Sequence, residues 1–150
     1  MIFYIYHEVI LNFFKNMAIY FNLPVYKVSY KLVFMLFQSS GCFSREYKYT
    51  VGQDLKNEGI DMIKNIYHAN KSEDKTVYIS KAKENLETVR LLIRLMQDFN
   101  QLGIKPFVEI NQGIENISKQ LNAWGKYSAV KLSEVKVKNK NMPELSIARA

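Results

Sequence analysis

The stretch that most constrains this chain is residues 73–102, which contain neither proline nor glycine. Apolar side chains recur there with alternating spacings of three and four residues, which is typical of a helix that packs one face against other helices. We therefore predict one long helix over these residues. Its apolar face consists of Ile79, Ala82, Leu86, Val89, Ile93 and Met96.

The same helix carries a second group of apolar residues outside that face. On the surface of a monomer this group would form an apolar patch of roughly several hundred Å², which soluble monomers seldom keep exposed. We predict that the group forms an interface between subunits and that the protein is an oligomer. The residues of this second group are Leu91, Leu92, Leu95 and Phe99.

Three further helices are predicted by the same spacing, and no strand pattern interrupts them. Short connections between helices favour antiparallel neighbours. The fold prediction is therefore an all-α, antiparallel up-down four-helix bundle over residues 23–125. The predicted helices cover residues 23–41, residues 44–71, residues 73–102 and residues 106–125.

The ends of these helices are assigned from local residue preferences. Pro24 suits the first turn of a helix, where its missing N–H leaves no hydrogen bond unmade. Ser44 and Ser72 are predicted N-caps of the second and third helices, since a serine hydroxyl can accept from the first free N–H groups. Gly103 and Gly125 are predicted to stand just past the ends of the third and fourth helices.

The two ends of the chain differ from the bundle. Residues 1–22 are aromatic and aliphatic, but polar side chains break the apolar run, which is too short for a membrane span of about 20 residues. Translation from Met17 would make residues 1–16 an upstream extension; the alternative is a helix that docks on the bundle or on another chain. Residues 126–150 show no sustained periodicity and many lysines, so we predict a basic, mostly disordered tail.

Charge is concentrated toward the C-terminal end. Residues 23–125 hold fourteen basic and eleven acidic residues, net +3, whereas residues 126–150 hold six basic and two acidic residues, net +4. A basic balance of this kind fits a nucleic acid or an acidic surface as the partner. A charged surface that serves only solubility explains the same numbers.

The sequence shows no group of residues typical of a catalytic or metal-binding site. The chain has one cysteine, Cys42, and two histidines, His7 and His68, which excludes an intrachain disulfide and gives no cluster with metal-ligand spacing. No glycine-rich phosphate loop is present. The sequence therefore predicts a non-enzymatic protein without metal or cofactor, and a single cysteine fits a reducing compartment such as the cytoplasm.

Residues 23–125 resemble a known family of helical proteins. They are similar to the four-helix-bundle proteins of the 23S ribosomal RNA intervening-sequence family, and within it to the accessory variability determinant (Avd) proteins of diversity-generating retroelements. The segments that carry the resemblance are LPVYKVSYKLV, FSREYKYTVGQDLKNEGIDMIKNIYHAN and AKENLETVRLLIRLMQDFNQLGIKPFVEINQGIENISKQLNAWGK.

The resemblance implies a bacterial or phage protein of the cytoplasm that assembles as a pentameric barrel with a basic surface. It implies association with a reverse transcriptase and with template RNA or cDNA, no membrane and no catalysis. Arg45, Lys48, Arg90 and Arg94 match basic positions of the family, and Lys83 lies on the same helix strip. We expect these five residues at a nucleic-acid interface.

A second hypothesis gives the chain a different role. In it the bundle is a protein-interaction scaffold of the intervening-sequence type with no retroelement role, and the surplus lysines serve solubility. Arg90 and Arg94 then pair with acids of their own helix, such as Glu87, or across the rim of the oligomer, because such residues lie close together on a helix surface.

Overall fold

The structure, a computed structural model, describes residues 23–141, and within this range all regular elements are helices. The predictions for residues 1–22 and for residues 142–150 lie outside the described residues. The all-α prediction is confirmed for the part of the chain that is described. The elements are α1 (Pro24–Gly41), α2 (Arg45–Lys48), α3 (Val51–Lys71), α4 (Thr76–Asp98) and α5 (Ile104–Lys140).

The four long helices enclose one hydrophobic core. α1 packs against α3 and α5, and α4 packs against the same two helices. The predicted apolar face of α4 is confirmed, since each of its six side chains is at most 2% exposed. The helical bundle is thereby established, whereas its up-down order and its oligomeric state stay predictions. The core residues from α3 and α5 include Leu55, Met62, Ile66, Ile110, Ile114, Ile117 and Leu121.

The predicted second helix is broken, so the expectation of one helix over residues 44–71 is wrong. Thr50 has φ −112° and ψ −96°, outside the helical region, and separates α2 from α3. Its hydroxyl donates a hydrogen bond of 2.8 Å to the carbonyl of Glu46. The turn brings Gly52 so close to α2 that a Cβ there would lie 3.1 Å from the Tyr47 carbonyl oxygen and 3.4 Å from the Phe43 ring. Phe43, which lies against Gly52, is buried in the core.

α4 begins later than predicted. Ser72 is the C-cap of α3 and does not cap α4, and its hydroxyl donates to the carbonyl of Asp74. The Asp74 carboxylate accepts hydrogen bonds from the hydroxyl and the N–H of Thr76, and the hydroxyl is the main reason that the pKa of Asp74 lies below its usual value. The Lys75 ammonium donates to three carbonyls at the end of α3, those of Ala69, Asn70 and Ser72. These side-chain bonds hold residues 72–75 as a turn.

α4 also ends earlier than predicted. Asn100 has a φ of 56°, and its N–H donates to the Gln97 carbonyl at 3.0 Å. The N–H of Gln101 donates to the Met96 carbonyl at 2.8 Å, so the two bonds form a Schellman motif with asparagine in the left-handed position. Gly103, the predicted end of α4, is instead the N-cap of α5.

α5 does not end at Gly125, and the prediction of a mostly disordered tail is wrong for residues 126–140. The helix continues to Lys140. A Cβ at position 125 would lie 3.4 Å from Cγ2 of Ile79 on α4. A Cβ there would thus make only an ordinary contact, and Gly125 lies within a continuous helix and does not terminate it.

The glycine contacts give a stability prediction. Gly113→Ala should stabilise the protein by up to about 1 kcal/mol, because alanine is the better helix former and its Cβ would meet only Leu32 at an ordinary 3.5 Å. Gly52→Ala should destabilise it, because the Tyr47 carbonyl at 3.1 Å belongs to the backbone and cannot move aside cheaply. Urea denaturation of both variants at one protein concentration measures the difference. Equal effects of the two substitutions would contradict this account of Gly52.

Candidate nucleic-acid and subunit interface

Three of the predicted basic residues lie along the side of α4 that faces α5. Lys83 and Arg94, with Arg90 between them, lie eleven positions apart along the chain, which is about 16 Å at 1.5 Å per residue. The Lys83 ammonium lies 4.0 Å from the point that a Cβ at Gly125 of α5 would occupy. Arg90 and Arg94 line a groove of about 460 Å³ together with Phe107 and Asn111 at the start of α5. The burial of the apolar face of α4 sets this orientation.

Arg90 is held by two carboxylates. Its Nε donates to Oε2 of Glu87 at 3.2 Å, and its Nη1 donates to Oε1 of Glu115 on α5. The hydrogen bond that Arg90 donates to Glu115 is the largest cause that raises the pKa of Arg90 above its usual value. The side chain is 32% exposed, so Arg90 bridges α4 and α5 at the rim of the core and is not a free cation.

Arg94 is more accessible but is also paired. Its Nε lies 3.1 Å from Oδ1 and 3.2 Å from Oδ2 of Asp98, one turn further along α4. The Arg94 side chain is 67% exposed. An exposed pair of this kind contributes about 0–1 kcal/mol, so another anion can compete for the guanidinium.

The other two predicted basic residues lie on α2 and not in the row along α4. α2 is fixed against the connection between α4 and α5, since the rings of Tyr47 and Phe99 stack with centroids 5.5 Å apart. The N–H of Ser44 donates to Oε1 of Gln101 at 2.8 Å. Arg45 and Lys48 therefore belong to the end of the bundle where α4 finishes. Within the described residues, Arg45, Lys48 and Lys83 make no ion pair.

The predicted subunit interface is exposed only in part. Leu91 is 67% exposed, Phe99 48% and Leu95 37%, and the three follow one another at four-residue intervals along α4. Leu92 differs, because it is half-buried and packs against the core. The structure thus places three of the four predicted residues in one exposed apolar row beside the arginines.

Further exposed apolar residues on α1 were not singled out from the sequence. Tyr30, Phe34 and Phe37 are 61%, 58% and 43% exposed, although Tyr30 and Phe37 repeat at the spacing of a core face. The Lys56 ammonium of α3 lies 5.4 Å from the centroid of the Phe37 ring. Phe34 is the residue from which this exposed surface could have been predicted, because it falls outside the buried repeat of α1 and gives that helix a second apolar row.

The lysines at the end of α5 were assigned to a disordered tail, and a helical signal was overlooked. The apolar spacing of α5 continues beyond Gly125 through Ser128, Leu132 and Val135, at intervals of four and three residues. Ser128 is buried and Leu132 half-buried, as a helix that still touches the bundle requires. The lysines of residues 126–140 therefore occupy fixed positions on a helix.

The described residues contain no group of three or more histidine, cysteine or acidic side chains that could hold a metal ion. Among the helices of residues 23–141, none has both the length and the apolar character that crossing a membrane demands. The free thiol of Cys42 is exposed.

The comparison with protein families shows to which family the chain belongs. The model of the bAvd-like family matches residues 25–128, more than half of the 150 residues. The chain belongs to the bAvd-like family. The resemblance to Avd proteins that the sequence indicated is confirmed, and the bAvd-like family is one of accessory proteins that are not known as catalysts. No curated protein matches the chain at a significant level.

The family match also divides α5. It ends at Ser128, twelve residues before the helix ends at Lys140. The bAvd-like domain therefore includes the whole row from Lys83 to Arg94 together with α2, and leaves out most of the final lysine-rich segment of α5.

The two arginine pairs of α4 give a second testable prediction. In double-mutant cycles with alanine, the coupling of Arg90 with Glu115 should be about 0.5–1 kcal/mol, and that of Arg94 with Asp98 about 0.3–0.5 kcal/mol, because the second pair is more exposed to screening. Urea denaturation of the single and double variants at one protein concentration gives both values. A coupling near zero for Arg90 with Glu115 would show that this pair does not join α4 to α5 in solution.

Proposed function

We propose that this bAvd-like protein is a non-enzymatic accessory protein of a diversity-generating retroelement. It binds the reverse transcriptase and the template RNA or cDNA through a basic surface formed by an oligomer, a pentamer in the proposal, in the cytoplasm of a bacterial cell. The family match over residues 25–128 is the single observation that carries the proposal. The net charge of +3 on residues 23–125 agrees with it.

The proposed mechanism is electrostatic. Basic side chains neutralise phosphates and release the counterions that surround the nucleic acid, so affinity falls steeply with salt concentration. An oligomer multiplies the modest charge of one bundle and repeats the row of Lys83, Arg90 and Arg94 on every subunit. Sequence readout is not part of the proposal, because phosphate contacts carry no base information.

The five basic residues differ in what they offer a phosphate. Arg45, Lys48 and Lys83 make no ion pair within residues 23–141, so they can bind without breaking one. Arg94 and Arg90 must exchange a carboxylate for a phosphate. We therefore expect the first three to make the main phosphate contacts and the two arginines, which lie between them along α4, to contribute less.

A charge-matched pair of variants tests this site. Replacing Arg45, Lys48 and Lys83 with alanine should weaken binding to a labelled single-stranded oligouridine and reduce the slope of log affinity against log salt by about 0.7 for each lost contact. Fluorescence anisotropy over a salt series measures both quantities.

The control replaces Lys27, Lys64 and Lys119 with alanine. These three residues are exposed and lie on α1, α3 and α5, so the net charge changes equally while the proposed site remains. The control should keep most of the affinity and the slope. Equal losses in the two variants would mean that only net charge matters and would remove the site.

The oligomer is tested through the exposed row of α4. Leu91→Gln combined with Leu95→Gln should shift the mass measured by light scattering toward a smaller species, because the two side chains are 67% and 37% exposed and available to another subunit. Circular dichroism should stay unchanged, since neither residue belongs to the core. Val77→Gln is the control, because Val77 is 49% exposed on the same helix but lies outside the row. A monomeric parent protein would contradict the proposal.

One observation favours a second candidate function, that of a protein-interaction scaffold of the 23S ribosomal RNA intervening-sequence type without a retroelement role. Arg90 and Arg94 are both engaged by carboxylates of the same chain, while Leu91, Leu95 and Phe99 are open to a protein partner. A parent protein that assembles but does not bind the oligouridine at low salt would favour this second function.

A further inference from the structure

The last part of α5 runs past the bundle. Gly125 contacts Ile79, which lies only three residues after the start of α4. Beyond it, residues 126–140, which we name the overhang, pass the turn at residues 72–75. Trp124, Leu132 and Val135 line a groove of about 470 Å³ with that turn. From Ser133 onward every described residue of the overhang is exposed, so no other part of the described chain covers it.

The overhang is the most basic element among the described residues. It holds five lysines and one acidic residue, Glu134, so its fifteen residues carry a net charge of +4, more than the +3 of residues 23–125. All five lysines are exposed and none forms an ion pair within the described residues. The five are Lys126, Lys131, Lys136, Lys138 and Lys140.

Two of these lysines have a weak neighbour. The Lys131 ammonium lies 5.7 Å from the centroid of the exposed Tyr127 ring. Lys136 is close enough to Asp74 for its charge to contribute to the lowered pKa of that carboxyl, as the smallest of the causes. Neither contact neutralises the lysine as the carboxylates neutralise Arg90 and Arg94, so the charge of the overhang remains available.

We infer that the overhang is an arm that binds the phosphates of RNA through its free lysines. The inference rests on the proposed function, because it assumes the same nucleic-acid partner. It differs in assigning the binding to the overhang. The family match ends at Ser128, so residues 129–140 of the arm lie beyond the bAvd-like domain.

The arrangement of the lysines favours a nucleic acid over a membrane surface. At about 100° per residue, Lys131 and Lys140 lie on opposite sides of the helix, and Val130 and Val135 lie about 140° apart. A helix that lies in a membrane interface separates one apolar face from one basic face, and the overhang does not. Positive charge on several sides of the helix suits a flexible polyanion, which can wrap around the helix.

Helix stability gives a second argument for a polyanionic partner. A helix of this length with little packing is marginal in water, and Lys136 and Lys140, four residues apart, repel each other. Phosphates beside these lysines would remove the repulsion and so stabilise the helix. An acidic protein surface could do the same, and the experiment below separates the two.

The test uses the full chain with Lys131, Lys136, Lys138 and Lys140 replaced by glutamine. We expect at least about tenfold weaker binding to single-stranded oligouridine at low salt, and a salt slope smaller by about 0.7 for each of the four contacts. Replacing the same four residues with arginine, which keeps the charge, should retain the affinity. The matched control replaces four exposed bundle lysines that make no ion pair within the described residues, Lys27, Lys31, Lys105 and Lys119, with glutamine, and should lose much less affinity.

The other outcomes are distinguishable. If the overhang variant binds like the parent while the Arg45, Lys48 and Lys83 variant loses affinity, the inference is overturned and the proposed function stands. If the parent does not bind oligouridine at all, both are overturned. Equal losses of affinity in the overhang and control variants would mean that only net charge matters and would overturn the inference. Parent protein that prefers phosphatidylserine vesicles, or that binds polyglutamate as tightly as oligouridine, would overturn the assignment to RNA.

Discussion

The arrangement of the whole molecule depends on the burial of one face of α4 between α3 and α5. Its six side chains are almost completely inaccessible to solvent, and complete burial of a side chain such as leucine or isoleucine stabilises a fold by about 1.5–3 kcal/mol. Burial of this face sets the rotation of α4 about its axis. The rotation in turn places Lys83, Arg90 and Arg94 against α5 and Leu91, Leu95 and Phe99 in solvent. The site is therefore a consequence of the core.

Burial of this face was predictable from the sequence because it depends on periodicity alone. Residues such as Leu86 and Ile93 recur at helical spacing and have no polar competitor on the same face. The helix ends were less predictable, because distant or subtle contacts decide them. Lys75 turns back to the carbonyls of α3, and Asn100 takes the left-handed conformation at the end of α4 that the sequence suggests for Gly103, three residues later. Gly125 is a residue type common just past a helix end, but α5 continues through it to Lys140.

In the candidate site, too, some features were predictable from the sequence and others were not. Its charges and their places on α4 could be read from the sequence, and so could the Glu87 partner of Arg90, because residues three apart on a helix lie side by side. Glu115 could not, since it lies 25 residues away and meets Arg90 only after α4 and α5 have packed. The exposure of Leu91 followed from the pattern, whereas the half-buried position of Leu92 required the positions of the neighbouring helices.

The ion pairs within the chain determine how readily each basic group could bind a polyanion. In the proposed interaction, the lysines of the overhang would bind a phosphate without losing an ion pair. Arg94 gives up a single exposed partner that contributes about 0–1 kcal/mol, which a phosphate can replace with a similar fork-like contact. Arg90 would leave two carboxylates, and Glu87 and Glu115 would then repel both each other and the incoming phosphate. In the proposed interaction, electrostatics would therefore favour first contact at the overhang, whereas Arg90 acts mainly as a bridge between α4 and α5 at the rim of the core.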